Sequence, residues 1–233
     1  MKQLIMCGKN SVLDALQNNW PIQKVLLLHE NNKHLFKNVN FPVEVVRRDK
    51  FDELTNENHQ GFIALIKEIN YDNLNSLIND NPKLVLVLDH IQDPHNLGAV
   101  IRSANAAGVK HIILPRDRSA EINSTVIKVS SGGFIGIKFI RVNSISATIT
   151  WLKNNGFWVF SSALDKNSKK HNQINYPYKS VLVVGNEGSG VSKSTLNVCD
   201  ETIYIEQFGS VQSLNVSVAT GILLFEMIEK IKE

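Results

Sequence analysis

The sequence is poor in cysteine: Cys7 and Cys199 are the only two in 233 residues. They are too few and too widely separated for a disulfide framework or a thiolate metal site, so both thiols are expected to be free, as in a reducing compartment. Long apolar runs are missing as well. Stretches such as 84–88 and 222–225 fall far short of the roughly 20 residues that a membrane helix requires. Lys9 interrupts the N-terminal stretch before the apolar core of a secretory signal could form. The cytoplasm is therefore the expected location, with no membrane partner. Nor does one charge dominate, since 25 Lys and Arg against 22 Asp and Glu leave a formal +3. No segment carries the dense basic stripe of a protein that holds nucleic acid by charge alone. The clusters Arg47-Arg48 with Lys50, Arg116 with Arg118, and Lys166, Lys169 and Lys170 with His171 each read, taken singly, as solvated surface charge. The seven histidines have no ligand spacing, so no metal is expected.

What remains is an ordinary globular composition, 43% hydrophobic and 20% charged. Residues 71–82 are rich in Asn and Asp and close on Pro82. Such residues favour turns over long regular elements, which predicts a linker between a unit at 1–70 and a larger one at 83–233. In the first, a helix over 11–18 and strands over 24–28, 43–46 and 61–67 make a small α/β unit. In the second, short apolar runs at 84–88, 111–114, 138–142, 158–161, 181–184 and 202–205 alternate with helical patterns at 97–107, 146–154 and 214–230. This alternation predicts a mainly parallel sheet covered by helices. In such sheets ligands bind in the loops at the carboxyl ends of the strands.

Three of those loops have unusual sequences. After 84–88 comes Asp89-His90-Ile91-Gln92-Asp93-Pro94-His95-Asn96-Leu97-Gly98, with Arg102 beyond it. Asp93, Pro94 and Asn96 supply helix-start chemistry, and Arg102 is expected to lean back over the helix N-terminus, where an anion would sit. A capped helix with an exposed arginine is the alternative. After 181–184 comes Gly185-Asn186-Glu187-Gly188-Ser189-Gly190. Val191 stands where a phosphate-binding P-loop needs lysine, and Glu187 stands where a dinucleotide fingerprint needs its second glycine. A tight turn explains the glycines but not the carboxylate among them. After 202–205 the chain reads Glu206-Gln207-Phe208-Gly209-Ser210-Val211-Gln212-Ser213-Leu214-Asn215-Val216-Ser217. Ser213 suits an N-cap, with Asn215 in the first helical turn. From Val216 to Met227 that helix is apolar on nearly every face, which predicts burial by its own domain on one side and leaves the other for a second subunit.

Taken in order, Asp89-x-x-x-Asp93-Pro94-x-Asn96-x-Gly98-x-x-x-Arg102, Gly185-x-Glu187-x-x-Gly190 and Ser213-Leu214-Asn215-Val216-Ser217 resemble the three motifs of the SpoU (TrmH) family. Its members are RNA ribose 2′-O-methyltransferases that use S-adenosylmethionine. Gly8-Lys9-Asn10-Ser11-Val12-Leu13 and His59-Gln60-Gly61 resemble the small RNA substrate-binding domain of its RlmB-like branch, so the likeness spans almost the whole chain. The resemblance implies a homodimer and a C-terminal sheet tied in a deep trefoil knot. It further implies cofactor contacts at Gly185, Ile205 and Leu214, and catalytic positions at Asn96, Arg102, Glu187, Ser213 and Asn215. The implied target is a guanosine of 23S, large-subunit, ribosomal RNA. One departure stands out: the family usually has Pro-Met where this chain has Glu206-Gln207, which adds a negative charge beside the cofactor loop.

Methyl transfer from a sulfonium to a hydroxyl is an in-line displacement, which rewards rigid positioning. The hydroxyl must also lose its proton, and His90 and His95 are the only histidines in the three loops. The family account gives that proton to Arg102. Guanidinium groups stay protonated below about pH 12, so two roles stand open: a proton acceptor assisted by the target phosphate, or a bidentate phosphate clamp. Glu187, Ser213 and Asn215 would orient Arg102 and the ribose. A tRNA methyltransferase, a non-catalytic ribosome-assembly factor and a nucleotide-phosphate enzyme are the competing readings; the missing P-loop lysine argues against the last.

Overall fold

The computed structural model describes residues 4–231 and divides into two compact units, Met1–Ile69 and Asn70–Glu233. The first three residues, part of the stretch weighed above as a secretory signal, lie outside the described residues. Within them, no helix is long and apolar enough to cross a membrane.

The first unit runs β1 (Leu4–Cys7), α1 (Lys9–Gln17), β2 (Ile22–Leu27), a 3₁₀ segment (Glu30–Phe36), β3 (Val43–Val45), α2 (Arg48–Leu54) and β4 (Phe62–Ile66). Its sheet has the order β1-β4-β2-β3, with β4 antiparallel to both neighbours and β2 parallel to β3. All five residues of β4 are buried, as a central strand covered on both faces requires. Phe51 from α2 packs with Cys7, Leu26 and Ile63 in a core of its own.

The second unit holds β5 (Tyr71–Asp72), α3 (Asn75–Asp80), β6 (Leu84–Asp89), α4 (Pro94–Ala106), β7 (His111–Pro115), α5 (Ser124–Ser130), β8 (Lys138–Val142), α6 (Ile145–Asn154), β9 (Trp158–Ser162), β10 (Lys169–Lys170), β11 (Ser180–Gly185), α7 (Lys193–Leu196), β12 (Glu201–Tyr204) and α8 (Val216–Lys230). Its eight strands take the order β10-β12-β9-β11-β6-β7-β8-β5, and their pairings are parallel. From β6 the chain crosses to β7 on one side, and from the adjacent β11 it crosses past β9 to β12 on the other. That reversal opens a crevice at the carboxyl ends of β6 and β11, where Asp89 and Gly185 lie in register. From β12, beyond β9, the chain returns to pack α8 on α4 and β11.

Residues 71–82 are more than a linker. Tyr71 pairs with Phe139 across β5 and β8, and the Arg141 guanidinium lies 4.5 Å from the Tyr71 ring centroid. In α3, Leu77 is buried in the main core and Leu74 packs against it. Two apolar side chains are enough to dock so short a helix, and its Asn- and Asp-rich exposed face hides it in the sequence. Helix boundaries shift as well. The helix expected at 97–107 starts at Pro94, capped by Asp93, which accepts from the His95 N–H at 2.9 Å.

The α4–α5 contact depends on an absent side chain. A Cβ on Gly98 would lie 2.7 Å from Val129 Cβ and 2.9 Å from the Val126 carbonyl oxygen. Gly98→Ala is therefore expected to lower unfolding stability by about 2 kcal/mol through overpacking, measured by urea denaturation; an unchanged midpoint would contradict this packing. Neither Cys7 nor Cys199 forms a disulfide. Burial pushes the Cys199 thiol up to about 11, and the thiol donates to the Thr195 carbonyl. At pH 8 iodoacetamide is expected to leave Cys199 unmodified in the folded protein, whereas labelling as fast as that of a free thiol would contradict this environment.

Candidate active site

The crevice between β6 and β11 is closed from below by Asp89, the last residue of β6 and 1% exposed. One carboxylate oxygen accepts the Ser192 N–H at 2.8 Å and the other accepts the His90 Nδ1–H at 2.6 Å. His90 takes a positive φ of 63°, and its carbonyl accepts the Asn186 side-chain amide at 3.1 Å. Asn186 also accepts the Gly188 N–H and pairs with Gly190 through both main-chain groups. Residues 186–190 thus form a small closed loop fastened to the loop after β6. Gly185 makes that closure possible: a Cβ there would lie 2.0 to 2.2 Å from the main chain of Gly190 and Val191. Tight packing alone therefore demands glycine at this position.

Above this floor three side chains from the three loops join. The Asn96 Nδ2–H donates to Glu187 Oε1 at 2.9 Å, and the Asn215 Nδ2–H donates to Asn96 Oδ1 at 2.9 Å. Asn215 Oδ1 in turn accepts the Ser217 N–H at 2.9 Å and the Ser217 hydroxyl at 2.6 Å. Glu187, if ionised, can only accept, which fixes the Asn96 amide and through it the Asn215 amide. The result is a polar relay from an exposed carboxylate to the N-terminus of α8.

The remaining predicted residues fall differently. Asn215, not Ser213, is the N-cap of α8, because only from there can the side chain hold the Ser217 N–H and still reach Asn96. Ser213 is exposed two residues earlier and has no side-chain partner among the described residues. Arg102 does not lean over the start of α4. Its guanidinium donates to Ser131 Oγ at 3.4 Å, beside the end of α5, and Gly133 packs against its main chain. Ile205 and Leu214 flank the loop between β12 and α8 and are half-buried. Between them Phe208 and Val211 are 91% and 63% exposed, so this loop presents apolar side chains that the chain itself leaves uncovered. Asp89, which opens the first motif, and Asn186, which lies within the second, were given no site role from sequence; the signal for the floor they form is a carboxylate and an amide at the ends of two buried strands. Among the described residues no cluster of His, Cys, Asp and Glu could hold a metal ion.

Comparison with known proteins follows the two units. Residues 83–225 match the SpoU rRNA Methylase family and residues 5–72 match the RNA 2'-O ribose methyltransferase substrate binding family. A protein of Staphylococcus aureus described as a TrmH family tRNA/rRNA methyltransferase is 34% identical, covering 99% of this chain and 97% of its own length. The AdoMet-bound rRNA methyltransferase of Sinorhizobium meliloti superposes with a TM-score of 0.78 at 26% identity, over 100% of this chain and 89% of its own. The TrmH/SpoU tRNA modifying enzyme of A. aeolicus superposes with a TM-score of 0.59 at 33% identity, over 64% of this chain and 75% of its own.

The relay can be tested without turnover. Asn96→Asp removes the donor to Glu187 and sets a second carboxylate beside it. Amide hydrogen exchange across 186–190 and 216–219 is expected to quicken about tenfold, the loss of roughly one hydrogen bond. Glu187→Gln, which keeps an acceptor oxygen, should change it far less. Equal exchange in Asn96→Asp and the parent would contradict the relay.

Proposed function

The chain belongs to the SpoU rRNA Methylase family, whose members methylate the RNA ribose 2′-hydroxyl, and from that premise we propose that it transfers a methyl group from S-adenosylmethionine to a guanosine of large-subunit ribosomal RNA. The observation that carries the proposal is the convergence of Glu187, Asn96 and Asn215 at the reversal of the sheet. Support for ribosomal RNA comes from the likeness over the whole chain to the rRNA methyltransferase of S. meliloti. The tRNA enzyme of A. aeolicus aligns with 64% of the chain and keeps tRNA as the second reading.

The residues present fit the cofactor. Main-chain groups at Gly185, Ile205 and Leu214 would hold it, and the uncovered Phe208 and Val211 offer apolar contact to an adenine ring or an aliphatic chain. When bound, S-adenosylmethionine supplies an electrophilic methyl group on a sulfonium. The chain must then place a ribose hydroxyl in line with it and exclude other geometries, a task for the rigid floor of Asp89 and Asn186. Asn96, Glu187 and Asn215 would orient the ribose through the relay. We assign Arg102 the role of phosphate clamp: its exposed guanidinium, with one long contact to Ser131, is free to swing onto a target phosphate while the hydroxyl proton passes to water. Ser213, exposed beside Leu214, is positioned to meet the same nucleotide.

We further propose that the segment from β12 to α8 is knotted, a course that the return of α8 onto α4 and β11 supports. The protein would act as a homodimer. Val218, Ile222 and Phe225, at helical spacing on α8, are 51%, 39% and 53% exposed and form an apolar stripe suited to a second copy.

Two measurements follow. Purified protein incubated with labelled S-adenosylmethionine and unmodified ribosomal RNA is expected to give 2′-O-methylguanosine at one site, identified by mass spectrometry. Arg102→Ala should lower that transfer by about a hundredfold or more, comparable to removing a transition-state charge contact. Transfer to tRNA alone would replace the ribosomal reading, and a methylated base in place of a ribose would contradict the proposal. Phe225→Glu should convert a dimer to monomer in light scattering; an unaltered dimer would reject the α8 interface.

A further inference from the structure

The sheet of the second unit has another loaded edge, opposite the proposed active site. At the amino-terminal ends of four adjacent strands stand Lys179 before β11, Lys83 before β6, Lys110 before β7 and Lys138 at the start of β8. Main-chain bonds fix their alignment: Lys83 accepts the Ser180 N–H at 2.9 Å, and Lys110 accepts the Lys138 N–H at 2.7 Å. Strands lie about 4.8 Å apart, so the row crosses roughly 14 Å of this edge.

A cavity of about 490 Å³ opens within the row, lined among others by Asp80, Lys83, Lys110, Lys138 and Ile228. Asp80 is the carboxylate in it, and it is already engaged, by Lys138 Nζ at 2.5 Å and by His111 Nε2 at 2.7 Å. Those two contacts hold the Asp80 carboxyl below the usual carboxylate range. Lys83 and Lys110 have no ion-pair partner among the described residues, and Lys110 is exposed. The Lys179 ammonium turns over the Phe157 ring, 5.6 Å from its centroid. Two exposed aromatics flank the row. Tyr178, 43% exposed, donates its hydroxyl to the Asn81 carbonyl beside the cavity, and Trp158, 42% exposed, is tied to the row through its main-chain N–H, which donates to the Lys179 carbonyl.

Unpaired lysines beside exposed aromatic faces are the chemistry of a single-stranded nucleic-acid contact, in which ammonium groups meet phosphates and bases stack on rings. We propose that this edge binds an unpaired segment of the substrate RNA outside the methylated nucleotide, with Lys83 and Lys110 on backbone phosphates and Tyr178 under a base. This inference rests on the RNA methyltransferase reading. It also accounts for a positive surface that the three loops do not use. Because the row lies at the far ends of the strands, it would grip only an RNA large enough to reach both edges of the unit.

The test uses the full chain and the ribosomal RNA it methylates. Binding is measured by filter retention over a range of salt concentrations, for the parent, Lys83→Ala/Lys110→Ala and Tyr178→Ala. The double variant is expected to bind more weakly and to lower the slope of log affinity against log salt by about 1.4, two contacts to single-stranded phosphates. Tyr178→Ala should weaken binding with the slope unchanged. In both, the rise in melting temperature caused by S-adenosylmethionine should match the parent, since the cofactor loops lie at the other edge. Parent-like RNA affinity and slope in both variants would overturn this edge while leaving the methyltransferase reading intact. A parent that neither binds nor methylates RNA would overturn both.

Discussion

One carboxamide holds the three loops of the site together. Asn96 reaches Glu187 with its N–H and receives Asn215 on its oxygen, so elements far apart in sequence share a single hydrogen-bond direction. A carboxylate can only accept, and a helix N-terminus carries unsatisfied N–H groups. Asn96 and Asn215 join these two ends in the one sense that pairs each donor with an acceptor along the relay, from Glu187 to the Ser217 N–H. Reversing either amide would set two acceptors or two donors against each other.

That relay stands on a backbone built for close approach. Asp89 at the end of β6 ties down Ser192 and His90, and Asn186 fastens the loop after β11 to the His90 carbonyl. Gly185 and Gly98 leave no room for a Cβ, so these two glycines are fixed by main-chain and side-chain collisions rather than by flexibility. Around this rigid floor the exposed elements are Glu187, Arg102, Ser213, Phe208 and Val211. Preorganisation below and uncovered chemical groups above suit a reaction whose rate depends on alignment.

Much of this was legible in the sequence where burial on both faces leaves a strong pattern. The apolar runs at 84–88 and 181–184 became the adjacent strands β6 and β11, and the glycine-rich and Asn-containing loops fell at their carboxyl ends. The segment at 71–82 was less readable, because only Leu74 and Leu77 mark its docked face while its Asn and Asp side chains resemble those of a linker. Cap chemistry misled at Ser213. Serine and asparagine cap helices about equally well, and the bond that decides for Asn215 is one it donates to Asn96, a residue over a hundred positions away. Arg102 departed for a similar reason: sequence spacing set it near the start of α4, but it cannot anticipate Ser131 arriving from α5. The lysine row was invisible for the converse reason, since single lysines before separate strands form no cluster until the sheet aligns them.

The most direct test of the central claim is a double-mutant cycle between Asn96→Ala and Glu187→Ala, read in single-turnover methyl transfer to RNA. If the two side chains act as one unit, the second substitution should cost little after the first, with a coupling of about 1.4 kcal/mol or more, a factor of ten. Effects that simply add, within about 0.5 kcal/mol, would mean that Asn96 and Glu187 serve the reaction independently and that the relay does not organise the site.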